Sequence, residues 1–185
     1  MKPPFAFLLC ILFFLSCGKD DNPVGPVGSG VSKSNPTKIY IHYKAFFQSP
    51  EVTGYWGKHW TNGILQTGEP GPDGRRAIAS YYYPLTGPYD TRDPIIQEYQ
   101  LLLMKYSGID GLIFDWYGSH DIDEYSMSRD GANSVINRLS EVGLQFAISY
   151  QDSTVRKSGQ QLGWTEMEAA KSDMAYINNL YFSTR

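Results

Sequence analysis

The stretch GLIFDWYGSHD, residues 111 to 121, decides how this chain folds. Gly111 to Phe114 is a short run without a polar side chain, the pattern of a strand covered on both faces. Within three residues the character reverses: Asp115, Trp116 and Tyr117 are followed by Gly118, Ser119, His120 and Asp121. A buried strand that ends in a carboxylate, two rings with polar tips and a turn is the signature of a parallel strand opening into a site-bearing loop. In barrels and open α/β sheets alike, ligand sites gather at the C-terminal ends of the strands.

The surroundings carry the same order. Before the stretch, Asp93 is placed to cap a helix and Pro94 to occupy its first position, where a missing N–H costs nothing. Ile95, Ile96, Tyr99, Leu102, Leu103 and Tyr106 follow at helical spacing, and Gly108 suits the stop. After it, Ala132, Val135, Ile136, Leu139 and Val142 predict a second helix ended by Gly143, and LQFAISY, residues 144 to 150, the next strand. Thr165 and Glu168 stand in capping-box spacing before a third helix with Met167, Ala170, Met174, Ile177 and Tyr181 as its apolar face. Upstream, KIYIHYKAFF from Lys38 reads as the first strand, and AIASYYYPLTGPYD holds another possible short one. Strand and helix alternate, which predicts an α/β fold on a parallel sheet. The strand LQFAISY also ends in polar groups: Tyr150, Gln151 and Asp152.

Two architectures fit: a small three-layer sheet, or the first three to four β/α units of a (β/α)8 TIM barrel. A whole barrel takes roughly 250 residues, and about 148 remain from Lys38 onward. The chain stops at LYFSTR, where a fourth strand is due; the expectation is a partial barrel belonging to a longer protein.

Lys2 and the apolar run Phe5–Leu15 have the length of an export signal rather than a membrane span. Ser16 before Cys17 resembles a bacterial lipobox, so residues 1–16 are expected to be a lipoprotein signal peptide, with Cys17 lipidated. The acidic Asp20 and Asp21 resemble an export tag of Gram-negative surface lipoproteins. Residues 17–37, rich in Gly, Pro and Ser, read as a flexible tether, and 38–185 as the domain. The expected location is the outer membrane, lipid-anchored and facing outward. The other cysteine, Cys10, leaves with the leader, so no disulfide or Cys metal site is expected.

A net charge of -3, with no basic stripe, gives no reason to expect nucleic acid. Neither G-x-G-x-x-G nor G-x-x-x-x-G-K-[ST] occurs, which removes nucleotide cofactors; G-x-S-x-G and H-E-x-x-H are also missing. His42, His59 and His120 are the only histidines. No cofactor or metal is expected; the alternative metal set would be Asp115, His120 and Asp121. Carboxylates remain. Glycoside cleavage uses two of them, and Asp115 and Asp152 are candidates by position, Asp115 being a weak one for catalysis. Asp90 is open between a site role and a loop role. Tyr43, Tyr82, Trp56, Trp60, Trp116 and Tyr117 could offer ring faces to the apolar side of a sugar.

YYYPLTGPYDTRDP, then a helix and YSGIDGLIFDWYG, resembles bacterial proteins related to glycoside hydrolase families 99 and 71, and IYIHYKAFFQSPEVTGYWGKHW fits the start of the same domain. The resemblance runs from about Lys38 to about Asn179. It implies a (β/α)8 barrel that hydrolyses α-linked glycans: endo-α-mannosidase action with retention in family 99, α-1,3-glucan in family 71, without a metal. It places Tyr43, Trp116 and Tyr117 in sugar subsites and His59–Trp60 near the cleft; Tyr82, Asp115, Tyr150 and Gln151 complete the expected substrate-binding set. It also implies a catalytic pair of glutamates on a later strand. Nothing past Tyr150 matches that motif, since Glu166 and Glu168 belong to a helix start. The expected function is that of a glycoside hydrolase-like protein whose 185 residues alone turn over little substrate; the alternative is a non-catalytic surface glycan-binding lipoprotein.

Overall fold

A computed structural model describes residues 33–63, 65 and 67–183. The expected signal peptide, Cys17 and most of the expected tether lie outside the described residues. Three parallel strands, β1 (Tyr40–Tyr43), β2 (Gly111–Trp116) and β3 (Gln145–Tyr150), pair in the order β1-β2-β3. His42 faces Ile113 across one ladder, and Asp115 faces Ser149 across the other. β2 is central and the most buried, which explains its unbroken apolar run. It extends two residues further than the apolar run, so Asp115 and Trp116 are the last residues of the strand rather than the first of the loop. AIASYYYPLTGPYD forms no strand.

Two short helical turns, α1 (Pro50–Thr53) and α2 (Lys58–Thr61), follow β1. α3 (Pro94–Tyr106) begins as its sequence dictates: Asp93 Oδ1 accepts from the Ile95 and Ile96 amides, and Gly108 adopts a φ of 78° just past the end. Its burial departs from the expected stripe. Ile95, Tyr99, Leu102, Leu103 and Tyr106 are exposed, while Gln97 and Leu101 are buried. Gln97 tolerates that position because its amide donates to Thr91 O and Ser134 Oγ.

The helix after β2 is broken into α4 (Tyr125–Ile136) and α5 (Leu139–Val142), yet Ala132, Val135, Ile136, Leu139 and Val142 are all buried as the spacing predicts. β3 leads through a 3-10 turn (Asp152–Thr154) into α6 (Val155–Leu162), which the sequence pattern did not reveal. α7 (Glu166–Ile177) carries the full capping box between Thr165 and Glu168. Ile177 and Tyr181 are buried; Met167 and Met174 are exposed. Among the described residues no helix is long and apolar enough to cross a membrane.

Strand alternation divides the sheet into two unlike faces. Tyr43, Leu112, Phe114 and Trp116 point to the helices and join Ala132, Val135, Ile136, Leu139, Ile177 and Tyr181 in one core. His42, Ile113, Asp115, Ala147 and Ser149 share the other face, where His42 is exposed and Ile113, Ala147 and Ser149 are half-buried. α4 approaches the chain after β1 so closely that a Cβ on Gly131 would stand 2.0 Å from the Ala45 carbonyl oxygen. Gly131→Ala should therefore cost about 1–3 kcal/mol through forced separation of backbone from backbone, read as a lowered urea midpoint with an unchanged slope.

Candidate functional site

Asp115 is the organising group. Its side chain is 2% exposed, and the groups that cover it come from the ends of both neighbouring strands. The Lys44 ammonium, just after β1, pairs with Oδ2. Gln151, just after β3, donates its side-chain amide to Oδ1 at 3.2 Å, and His42 Nδ1 stands 3.5 Å from the same oxygen. A carboxylate can be buried here because a cation and an amide donor satisfy it. Lys44 and His42 remain half exposed, 46% and 54% by side chain. The rim thus presents an ammonium, an imidazole and an amide to solvent around one buried acceptor.

Beside this group lies a cleft of about 160 Å³ lined by Phe46, His59, Tyr117, Glu124, Tyr125, Ser128 and Thr154. Two ring pairs form its walls: Phe46 stacks on His59 with centroids 3.6 Å apart, and Tyr117 lies near-parallel to Tyr125 at 6.0 Å. Burial lowers the His59 pKa and raises those of Tyr117 and Tyr125. Glu124 pairs with Lys58 at 3.2 Å. The floor is tied to the strand ends, since Ser128 Oγ donates to the Asp115 carbonyl at 3.3 Å and Thr154 Oγ1 to that of Tyr117 at 2.5 Å. The Lys44 ammonium stands 6.0 Å from the centre of the Phe46 ring, so the cleft and the Asp115 group form one surface.

The structure sorts the sequence candidates into two sets. Asp115, Gln151, Tyr117 and His59 come together. Trp116 and Tyr150 do not join them, because alternation sends both to the helix face. Trp116 is fully buried and its indole donates to Tyr181 Oη at 3.1 Å, while Tyr150 donates to Asp173 at 2.7 Å. The expectation of one shared rim for Asp115, Trp116 and Tyr150 is therefore corrected. Tyr43 is on the helix face too, bonded to Gln100, with its pKa raised by burial. Trp60 is buried behind His59, donating to Tyr89 O at 2.8 Å and packing on Phe47. Tyr82 is 80% exposed against Tyr81 in the long loop.

Asp90 is a loop tie: its carboxylate accepts from the Ser49 and Arg92 amides. Asp152 is exposed and opens the 3-10 turn. Asp121 pairs with Arg129 and His120 packs edge-on to Trp164, so neither joins Asp115, and no cluster of three potential metal ligands occurs among the described residues.

Sequence reading missed Lys44, Phe46, Glu124 and Tyr125. Lys44 was within reach: it follows His42 by two, so alternation places both on the face of Asp115. The other three come from loops and a helix start, whose approach no local pattern encodes. Larger hollows lie elsewhere. One of about 430 Å³ runs between α3 and α5. Another, of about 260 Å³, sits at the opposite end of the sheet, where Lys33, Lys38 and Lys105 surround Asp110. Lys33 and Lys38 both pair with Asp110; the Lys33 ammonium and the Ile39 amide hold its pKa down at about 2.

No protein-family model matches the chain. Among curated proteins it is 28% identical over 106 residues to a glycoprotein endo-alpha-1,2-mannosidase of Rattus norvegicus, covering 51% of this chain and 23% of that protein. It is 27% identical over 133 residues to a glycoprotein endo-alpha-1,2-mannosidase-like protein of Danio rerio, covering 66% and 30%. Among solved structures, the GH99 endo-alpha-mannosidase from Bacteroides thetaiotaomicron, in complex with Bis-Tris-propane, superposes with a TM-score of 0.50 at 19% identity, over 80% of this chain and 37% of that one. The chain spans under a third of the length of these curated relatives. Over part of their length, the chain is thus similar in sequence to curated glycoprotein endo-alpha-1,2-mannosidases and in fold to a GH99 endo-alpha-mannosidase.

Proposed function

We propose that these residues form part of the substrate cleft of a glycoside hydrolase acting on α-linked glycans, α-mannan or a related polysaccharide, with β1, β2 and β3 as neighbouring strands of a (β/α)8 barrel. One observation carries the reading: polar groups from the ends of β1 and β3 gather around Asp115 at the end of β2, directly beside a cleft walled by paired rings. Sugars ask for that combination. Lys44, His42 and Gln151 meet hydroxyl oxygens, and the Tyr117 face takes the C–H side of a pyranose, excluding water from it.

Two carboxylates at the rim are already engaged, Asp115 by Lys44 and Gln151, Glu124 by Lys58. Neither is assigned as acid or nucleophile; the catalytic pair that the resemblance implies would come from elsewhere in a longer chain. These residues then hold glycan without cleaving it. Titration calorimetry with α-1,2-linked mannotetraose and an α-1,3-glucan oligomer, alongside a reducing-end assay, tests both halves. Binding without release is expected, with Tyr117→Ala roughly tenfold weaker, the share of one lost stacking platform. Unchanged affinity in Tyr117→Ala, or rapid release of sugar by this chain, contradicts the reading. Anchoring follows from the sequence alone: lipid on Cys17 would hold the domain at the outer membrane, and fatty-acid labelling lost in Cys17→Ser is the check.

A further inference from the structure

Asp173 is a charged residue where α7 should be apolar. It lies on the buried stripe between Ala169 and Ile177, and it is fully buried. No Lys, Arg or His pairs with it among the described residues; its partners are neutral donors. Ser119 gives two bonds to Oδ1, from its amide and its hydroxyl, each 2.7 Å, and Tyr150 Oη gives one to Oδ2, also 2.7 Å. A carboxylate held by hydrogen bonds alone is expensive to bury, and an apolar side chain would pack on this stripe at less cost. The position therefore calls for an explanation other than stability.

The bonds supply one, because both Oδ1 bonds go to the segment leaving β2. Gly118 adopts a φ of 149°, a conformation glycine alone adopts readily, and a Cβ there would lie 3.7 Å from Asp173 Oδ2. That turn aims the Ser119 amide at the carboxylate. The preceding residue is Tyr117, whose carbonyl is fixed from the other side by Thr154 and whose ring forms a wall of the cleft. Between them, Thr154 and Asp173 fix the backbone on both sides of the Tyr117–Gly118 step.

We propose that Asp173 is a positioning residue of the glycan site, acting through Ser119 to hold the Tyr117 ring where a sugar stacks. This rests on the reading of the cleft given above. It adds that binding strength is set partly by a residue that no ligand touches.

The test is calorimetry of the intact chain with α-1,2-linked mannotetraose, alongside hydrogen exchange at the Ser119 amide. Asp173→Ala should weaken binding roughly tenfold and open that amide to exchange; Asp173→Asn, whose oxygen still accepts from Ser119, should stay within about threefold of the parent. Ser119→Ala, which removes one bond and leaves the helix untouched, should cost about threefold and decides the matter if Asp173→Ala does not fold. Equal loss in Asp173→Asn and Asp173→Ala, or full affinity in Ser119→Ala with its amide newly exposed to exchange, overturns the proposal. Tyr117→Ala separates the two ideas: if it binds like the parent, the cleft reading fails first; if it alone weakens binding, only the role of Asp173 is lost.

Discussion

Trp116→Ala should remove a large share of this chain's stability. The ring is wholly buried, packs against Tyr150 and Tyr176 at centroid distances of 6.0 and 5.8 Å, and bonds to Tyr181. Removing a buried Trp costs about 3–5 kcal/mol, against a total of about 5–15 kcal/mol for a domain of ordinary stability. Tyr181 is left with an emptied space beside it, while its own hydroxyl still donates to Asn133 Oδ1. Trp116→Phe retains most of the packing and should lose about 1 kcal/mol, the worth of one hydrogen bond. Urea unfolding followed by far-UV circular dichroism separates the two. The pair matters for function because Trp116 follows Asp115 directly. If Trp116 were a sugar platform, Trp116→Phe would weaken glycan binding; if its work is structural, affinity stays within about twofold while the midpoint falls.

The second large effect falls on its neighbour. Asp115→Ala should weaken glycan binding by roughly a hundredfold, about 2.7 kcal/mol, because one substitution releases the donors that Asp115 holds. Lys44 and Gln151 lose their acceptor and His42 its nearest charge. Stability should fall less, because the freed Lys44 is half exposed and turns to water. Asp115→Asn still accepts from Gln151 but offers Lys44 no charge, and should land between. Calorimetry with α-1,2-linked mannotetraose and a melting curve on each variant give the two numbers. A variant that binds like the parent while melting several degrees lower would make Asp115 a plain structural acid.

How far the sequence foretold this arrangement depended on which forces were local. The three strands, the Asp93 cap, the Thr165–Glu168 box and the buried face of α4 and α5 all follow from short-range chemistry, and each was legible. α3 was legible in extent and misleading in orientation. Its most apolar stripe stays exposed, yet the stripe with Gln97 and Leu101 is buried, because Thr91 and Ser134 satisfy the Gln97 amide. No helical period encodes those partners.

The site divides in the same way. That a rim of polar groups would form at the ends of β2 and β3 was legible from GLIFDWYG and AISYQD. Which side chains share it was not, because Trp116 and Tyr150 are one residue off the phase of Asp115 and Ser149, and a single step along a strand changes the face. Phe46, Glu124 and Tyr125 are brought in by loop paths that only the folded chain defines.

A glycan is predicted to lie across the C-terminal ends of these strands. Hydrogen–deuterium exchange of the intact chain, with and without saturating α-1,2-linked mannotetraose, tests it directly. Protection is predicted at Tyr117 to Ser119, at Gln151 to Thr154 and at Lys58 to Trp60, with none around Lys33, Lys105 and Asp110 at the far end of the sheet. Protection confined to that far end, or no change at the strand ends under conditions where calorimetry shows binding, would contradict it.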